Sequence, residues 1–539
     1  MQTTIFHRPK TLLLHCLVLL TFVSTSPHAF AATTSMSDHP NLVFIFADDL
    51  GWGDLACHGH PRIQTPHLDR LAAEGTDFHQ FTVCNPVCSP SRTAILTGHF
   101  PSRHAVHQHF ATHEQNVARN MPDWLDPSSP MLPRILQQAG YKTGHFGKWH
   151  LSGGAVRNAP LPAAYGYDDA AVWVGPGKGV FEGSSVSENS GTPHDDSASY
   201  LSVAATDHAV RFIREVGDEP FYVNLWLHET HHVVSATKKD REPYADTPEP
   251  QQTYFAAVTR ADRQVGRMLD VLAELDLDER TLVIFSSDNG PENTTSRLAF
   301  SVGSTGGMKG RKRSLYMGGV CVPFIVRWPG RIPAGRVDKM TPLAGVDIFP
   351  TFLAIAGVDQ PSHYQPDGEN ILPALMGKPW KRTKPMFWFW QGHHGGVDWP
   401  VFSMRDGHWG MVMDEKGQRI ELYHLINDRN QRTNLADQHP DRVRSMQKSI
   451  RDWSETLPNL AESLAVMQNR RAPAARPTAS KLDRNTIFDN KDLNHNGQLT
   501  LEEFLHRFPD AEEGRRRFPK FDKNSDGVLS RDEFVGQGR

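Results

Sequence analysis

Cys88 stands in Phe81-Thr82-Val83-Cys84-Asn85-Pro86-Val87-Cys88-Ser89-Pro90-Ser91-Arg92-Thr93-Ala94-Ile95-Leu96-Thr97-Gly98, where a polar turn runs into the helix-forming stretch Thr93 to Leu96. A cysteine just before a helix N-terminus faces backbone N–H groups and the positive end of the helix dipole, which favour negative charge. Arg92, a turn further on, adds a fixed cation able to grip an oxyanion bidentately. A reactive group held against an anion is the chemistry this spacing serves. Taken alone, Cys88 and Arg92 fit a buried structural cysteine equally well.

Two further segments carry oxygen ligands. Asn41–Phe46 is an apolar run that ends in Ala47-Asp48-Asp49, and Thr281–Phe285 ends in Ser286-Ser287-Asp288-Asn289-Gly290. Asp48, Asp49, Asp288 and Asn289 together offer three carboxylates and an amide oxygen. That set suits a hard divalent cation such as Ca²⁺, without which the carboxylates repel one another. A third run, Phe221–Leu227, ends in His228-Glu229-Thr230-His231.

The element Cys88-Ser89-Pro90-Ser91-Arg92, with its extension to Thr97-Gly98, resembles the Cys-x-Pro-Ser-Arg signature of the formylglycine-dependent sulfatases. The resemblance implies that Cys88 is oxidised after synthesis to Cα-formylglycine (3-oxoalanine) by a formylglycine-generating enzyme. It also implies that Asp48, Asp49, Asp288 and Asn289 bind calcium beside residue 88. Gly147-Lys148-Trp149-His150 is similar to the family element whose Lys and His contact the formylglycine and the sulfate. Gly307-Met308-Lys309-Gly310 is similar to the element carrying a second sulfate-contacting Lys. His228-Glu229-Thr230-His231 matches a segment usually written His-x-Pro-His, which favours His231 over His228 as the site histidine. Thr230 departs from that pattern, as does Met317 in Tyr316-Met317-Gly318-Gly319, where the family has Glu. The similarity runs from about Asn41 to Leu457.

The implied reaction is sulfate ester hydrolysis. A hydroxyl of the hydrated aldehyde attacks sulfur, activated by calcium and Asp288. Arg92, Lys148, His150, Lys309 and the cation neutralise the sulfuryl oxygens. His231 or Lys309 protonates the leaving alcohol, and the covalent hemiacetal sulfate then collapses. Two alternatives stay open: a phosphate or phosphonate ester hydrolase of the same superfamily, and an inactive calcium-dependent binding protein.

These residues need elements that bring distant segments together. The near-continuous apolar runs read as strands buried on both faces; Val322–Trp328 is another. Helical patterns at Ala204–Glu215 and Tyr254–Leu275 lie between them. The alternation predicts a mostly parallel α/β sheet with its ligands beyond the carboxyl ends of the strands. The resemblance implies the alkaline phosphatase-like version, a large sheet sandwiched by helices. From Met386 onward, short aromatic-rich runs predict a small antiparallel sheet, closed by a helix from Pro440 to Leu457. The aromatic cluster there reads as sheet core before sugar platform.

The expected organisation is a signal peptide at 1–32, a catalytic domain at 39–385, a small subdomain at 386–460, a linker at 461–484 and an EF-hand pair at 485–539. The pair rests on two near-copies of one loop, Asp492, Asn494, Asn496, Gln498, Glu503 and Asp522, Asn524, Asp526, Val528, Glu533, each with Gly at the sixth position. Pro509 and Pro519 are expected to interrupt the connection. The leader has Arg8 and Lys10 before an apolar core too short to span a membrane, then an Ala29-Phe30-Ala31 cleavage site. A secreted or periplasmic location follows, with no membrane span in the mature chain. The 539 residues carry a net charge of −4 and no basic block, so nucleic acid is excluded as a partner. A sulfated carbohydrate or aryl sulfate is the expected substrate, its alcohol read by loops such as 153–193 and 391–398. After Cys16 and Cys88 are set aside, Cys57, Cys84 and Cys321 allow at most one disulfide.

Overall fold

The computed structural model describes residues 39–153, 156, 158–173, 179–180, 201–293, 301–391, 399–458, 488–489, 491–492, 494, 496–505 and 511–535. The expected signal peptide and linker lie outside the described residues, with much of the two loops expected to read the alcohol. No helix among the described residues is long and apolar enough to cross a membrane.

A nine-stranded sheet holds the molecule together. Its strands in chain order are β1 (Asn41–Ala47), β2 (Thr76–Phe78), β3 (Lys142–Lys148), β4 (Asp169–Trp173), β5 (Gly179–Val180), β6 (Phe221–Trp226), β7 (Thr281–Ser287), β8 (Phe324–Arg327) and β9 (Arg336–Asp338). Side by side they run β9-β2-β8-β7-β1-β6-β3-β4-β5. The central five, β7 to β4, are parallel. The expected run Val322–Trp328 shortens to β8, which lies antiparallel to both β7 and β2. This is the expected alkaline phosphatase-like sheet.

The reason for the apolar runs is visible in β1 and β7. Leu42, Phe44 and Phe46 join one core while Val43 and Ile45 join the other, and β7 divides in the same way. Alternate side chains point to opposite faces, and both faces are covered. Helices Leu201–Val216 and Gln251–Glu274 cover one face. Helices Cys88–Thr97 and Ile348–Ile355 cover the other. Each buried Val, Leu, Ile or Phe contributes about 1.5–3 kcal/mol relative to exposure. Desolvating a charge at a strand end costs several kcal/mol, so this anchoring is what lets the strands carry carboxylates out of water.

The small antiparallel sheet comprises β10 (Met386–Phe389), β11 (Phe402–Asp406), β12 (Trp409–Met413) and β13 (Ile420–His424), paired in chain order. Helix Pro440–Glu455 closes it, with Trp453 stacked on Phe387 at 4.9 Å between centroids. Phe387, Trp388 and Trp390 are buried in the core shared with the main sheet, as the packing reading expected.

The C-terminal module pairs Gln498–Thr500 with Val528–Ser530, Leu499 facing Leu529. Its own core is Phe488, Leu499, Phe504, Phe518, Leu529 and Phe534. Pro519 does not interrupt the connection: it lies inside helix Ala511–Phe521. Proline there removes one backbone hydrogen bond near the last turn, where terminal groups are already open to water. Pro509 lies outside the described residues.

Candidate active site

The carboxyl ends of four adjacent strands converge. Ala47 lies beside Ser287, so the next residues of β1 and β7 meet. The Asp288 amide donates to the Ala47 carbonyl at 3.0 Å. The Asp49 amide donates to Asp288 Oδ1 at 3.2 Å, and Asn289 Nδ2 donates to Asp49 Oδ1 at 2.7 Å. Asp49 has a φ of 60°, a left-handed conformation that Asp tolerates better than most residues. All four ligand candidates are buried.

β3 delivers Lys148, whose Nζ lies 2.5 Å from Asp48 Oδ2. Gly147 before it has a φ of 106°, and a Cβ there would come within 2.0 Å of the Trp226 carbonyl oxygen. Only glycine lets β3 and β6 approach that closely. β6 delivers His228, with Nδ1 2.7 Å from Asp48 Oδ2. The Thr230 hydroxyl donates to the Asp48 carbonyl at 2.5 Å, so the residue replacing the family proline fastens the loop to β1. His231 Nδ1 donates to the His232 carbonyl at 2.8 Å, and its Nε2 lies 4.0 Å from Asp49 Oδ2. Both histidines therefore join the cluster, stacked on each other.

Cys88 is the first residue of its helix rather than the residue before it. Ligand atoms of Cys88, Asp48 and Asp288 lie within 4.8 Å of one another. Arg92 takes a different place from the one expected. It is fully buried, with its guanidinium 4.7 Å from the Trp226 ring centroid. Nη2 donates to Asp288 Oδ2 at 2.6 Å and Nη1 to the Lys148 carbonyl at 3.4 Å. With both terminal nitrogens engaged and Nε buried without a hydrogen-bond partner, Arg92 positions Asp288 and β3; it does not present a free fork to a ligand.

Lys309 is not brought to the cluster. Its Nζ lies 3.0 Å from Glu421 and 4.0 Å from the Tyr316 ring centroid, and its side chain is 41% exposed. Lys312 stands where Lys309 was expected. It is buried, with Nζ 2.6 Å from Asp49 Oδ1 and 3.6 Å from Glu292. The sequence holds two readings of Gly-x-Lys here, at 307–309 and at 310–312. Arg311-Lys312-Arg313 looks like a solvated charge run, which hid the second. Met317, in place of the family glutamate, is buried in apolar core. His150 Nε2 donates to the Phe110 carbonyl at 3.1 Å, while Nδ1 is buried without a hydrogen-bond partner.

The electrostatics follow from this crowding. Burial, then the neighbouring Asp48 charge, pushes Asp288 up to about 7. Burial also acts on Asp48, but Lys148, His231 and His228 outweigh it and hold that carboxyl well below its ordinary value. Burial raises the Cys88 thiol against the pull of Lys148 and Lys312. A protonated thiol is a poor nucleophile. Burial lowers His231 and His150 well below the ordinary imidazole value, with Lys148 adding to both shifts. The oxygen atoms Asp48 Oδ1 and Asn289 Oδ1 are buried with no hydrogen-bond partner. Two open hard oxygens among further carboxylates fit a divalent cation of the calcium type.

The two C-terminal loops hold their expected ligands in matching turns. Asp492 accepts from the amides of Asn496 and Gly497, and Asp522 from those of Asp526 and Gly527. The side-chain oxygens of Asn494 and Asn524 also accept from the amides of Asn496 and Asp526, respectively. Gln498 and Val528 sit in the short strands. Glu503 and Glu533 fold back onto Thr500 and Ser530.

Residues 40–358 match the Sulfatase family. Residues 310–457 match the family described as N-sulphoglucosamine sulphohydrolase, C-terminal, and residues 516–535 match the EF hand. The chain is 33% identical to N-acetylgalactosamine-6-sulfatase of Canis lupus familiaris over 390 residues, covering 65% of this chain and 68% of that protein. It is 31% identical to human arylsulfatase A over 427 residues, covering 70% and 76%. Among solved structures, Ps i-CgsB in complex with k-i-k-neocarrahexaose aligns at a TM-score of 0.68 and 23% identity, over 80% of this chain and 98% of that one. BT4656 in complex with D-glucosamine-2-N,6-O-disulfate aligns at 0.56 and 19%, over 80% and 99%.

Proposed function

The chain belongs to the sulfatase family, and from that premise we propose that it hydrolyses sulfate esters of carbohydrates with residue 88 in its formylglycine form and one calcium ion. The observation that carries this reading is the single buried cluster at the ends of β1, β3, β6 and β7, joined by Cys88 at its helix N-terminus. Asp48, Asp49, Asp288 and Asn289 would hold the calcium. Formylglycine and calcium together supply an activated oxygen nucleophile at a position where the unmodified thiol stays protonated.

The chain's own groups do the rest. Lys148 and Lys312 flank the carboxylates and present ammonium groups to the sulfuryl oxygens, which gain charge in the transition state. His150, fixed through Nε2 on the Phe110 carbonyl, offers Nδ1 toward the same region. Arg92 holds Asp288 and the end of β3 in place from below. His231 keeps its Nδ1 proton on the His232 carbonyl, so Nε2 is the atom that handles the proton of the leaving alcohol. Lys309, whose ammonium meets Glu421 and the Tyr316 ring rather than a carboxylate of the cluster, takes no part in that step.

Maturation requires a formylglycine-generating enzyme, and the signal-peptide pattern at the N-terminus directs the chain to a periplasmic or extracellular site. The two EF-hand loops bind further calcium. A panel of sulfated mono- and oligosaccharides, read by sulfate release, tests the substrate class. Turnover of sulfate esters well above phosphate esters of the same alcohols is expected. A preference for the phosphate or phosphonate ester, or no release from any sulfated sugar, contradicts the proposal.

A further inference from the structure

A second group of metal-binding side chains lies apart from the active site, in the loop after β1 and at the end of β2. Ligand atoms of Cys57, His58 and Asp77 lie within 4.8 Å of one another. His58 and Asp77 are buried, with side chains 0% and 4% exposed, whereas Cys57 is exposed. One edge of the cluster therefore opens to solvent.

The imidazole is oriented as a ligand. His58 Nδ1 donates to the Trp52 carbonyl at 2.6 Å, which turns Nε2 toward Asp77, 2.9 Å from its Oδ2. A histidine whose other ring nitrogen is fixed on a backbone carbonyl is the usual arrangement at a metal. The Trp52 ring stacks on His58 with centroids 4.0 Å apart and fixes its plane. His79 adds a supporting contact, with Nε2 3.1 Å from the same Asp77 oxygen.

The Asp77 carboxylate supplies an independent observation. The residue is 3% exposed, yet its Oδ1 has no hydrogen-bond partner. An open buried carboxylate oxygen is destabilising unless something fills its lone pairs.

We propose that Cys57, His58 and Asp77 bind a zinc ion, with His79 orienting the carboxylate and a water completing the tetrahedron on the open side. Sulfur and imidazole ligands select a borderline ion over calcium. Burial and the carboxylates of Asp77 and Asp69 hold the proton on the Cys57 thiol, so zinc must displace it to solvent; the ligand set of thiolate, Asp77 carboxylate and Zn²⁺ then sums to zero. Neutrality is what a largely buried site requires. This site uses no group of the active-site cluster and stands whether or not the sulfatase chemistry is as proposed.

The full-length protein, with calcium in excess to fill the oxygen sites, is titrated with Zn²⁺ alone by calorimetry and with Co²⁺ by absorbance. One zinc per chain is expected, and cobalt should show a thiolate-to-cobalt charge-transfer band that Cys57→Ser abolishes. His79→Gln should weaken zinc binding by about 10- to 100-fold. In the unmutated protein, zinc should protect Cys57 from alkylation, mapped by peptide mass. Absence of saturable zinc uptake overturns the proposal. So does a cobalt band that survives Cys57→Ser, or full alkylation of Cys57 at saturating zinc, either of which would leave His58 and Asp77 as an ion pair only.

Discussion

Two regions of this chain gather oxygen groups of the kind a divalent cation takes, and they do so in opposite ways. At the large sheet, Asp48, Asp49, Asp288 and Asn289 come from segments about half the chain apart, and all are buried. In the C-terminal module, each ligand set lies in one continuous loop; Asn524 and Asp526 are exposed and Asp522 is half-buried, whereas Asp492 and Glu503 of the other loop are buried. Water screens the charges of the second EF-hand loop and not those of the sheet cluster. Each buried charge therefore depends on its partners: Asp48 on Lys148 and His228, Asp49 on Lys312, Asp288 on Arg92. The loops hold their ligands with local backbone amides instead. Burial gives the sheet cluster its electrostatic leverage and makes it intolerant of single losses; locality gives the module its independence.

The largest test of that contrast is inside the cluster. Lys148→Ala and Lys312→Ala should each lower kcat/KM by about a hundredfold or more, the loss expected for a transition-state charge contact in a water-excluded site. Lys309→Ala, outside the cluster, should change it by less than about threefold. Steady-state kinetics on an aryl sulfate measures all three. A large effect at Lys309 with a small one at Lys312 would reverse the assignment made from their positions.

A smaller effect reports on the buried surroundings. His145 is fully buried beneath Lys148, and burial pushes it down to about 3. The unfolded chain takes up this proton near pH 6.5 while the folded chain does not. Stability present above pH 6.5 is thus lost as pH falls toward 3, by at most about 1.4 kcal/mol per unit for this group. Denaturant melts from pH 7 to 5 should show that slope, reduced by close to one proton in His145→Gln. An unchanged slope in the variant would mean that His145 is not held neutral.

The smallest effect is expected at the module. A chain ending near Arg471 should keep its turnover on a small aryl sulfate, because among the described residues the catalytic cluster draws nothing from beyond Leu457. In calcium titrations the second loop, with Asp522, Asp526 and Glu533, should fill before the first, whose carboxylates are Asp492 and Glu503. Loss of catalysis in the folded shorter chain, or earlier filling of the first loop, would break the separation of the two regions.

The same contrast explains what was legible in the sequence. The EF-hand loops are a local code, so spacing alone foretold the paired turns that Asp492 and Asp522 organise. The strand ends were almost as clear, because runs such as Leu42–Phe46 and Leu282–Phe285 can only sit between two covered faces. The helix at Cys88 was displaced by a few residues, since Ser89 and Pro90 read as turn yet occupy its first turn, where proline is tolerated. Lys312 was missed because a loop has no period: nothing in Met308–Ser314 tells which lysine turns inward. The inward turn is set by Asp49 and Glu292, whose charges meet Lys312 only after the sheet has formed. Arg92 was placed in the site but over-read in role, because its partners, Asp288 and the Lys148 carbonyl, are equally non-local.

The most direct test of the central claim is the mass of the peptide containing residue 88, taken from enzyme with measured turnover. The account predicts that the thiol is gone: relative to cysteine the peptide should have lost H₂S and gained one oxygen as the aldehyde, with one further H₂O where it is hydrated, and Cys88→Ala should fold and be inactive. Active enzyme carrying an unmodified Cys88, or full turnover in Cys88→Ala, would contradict it.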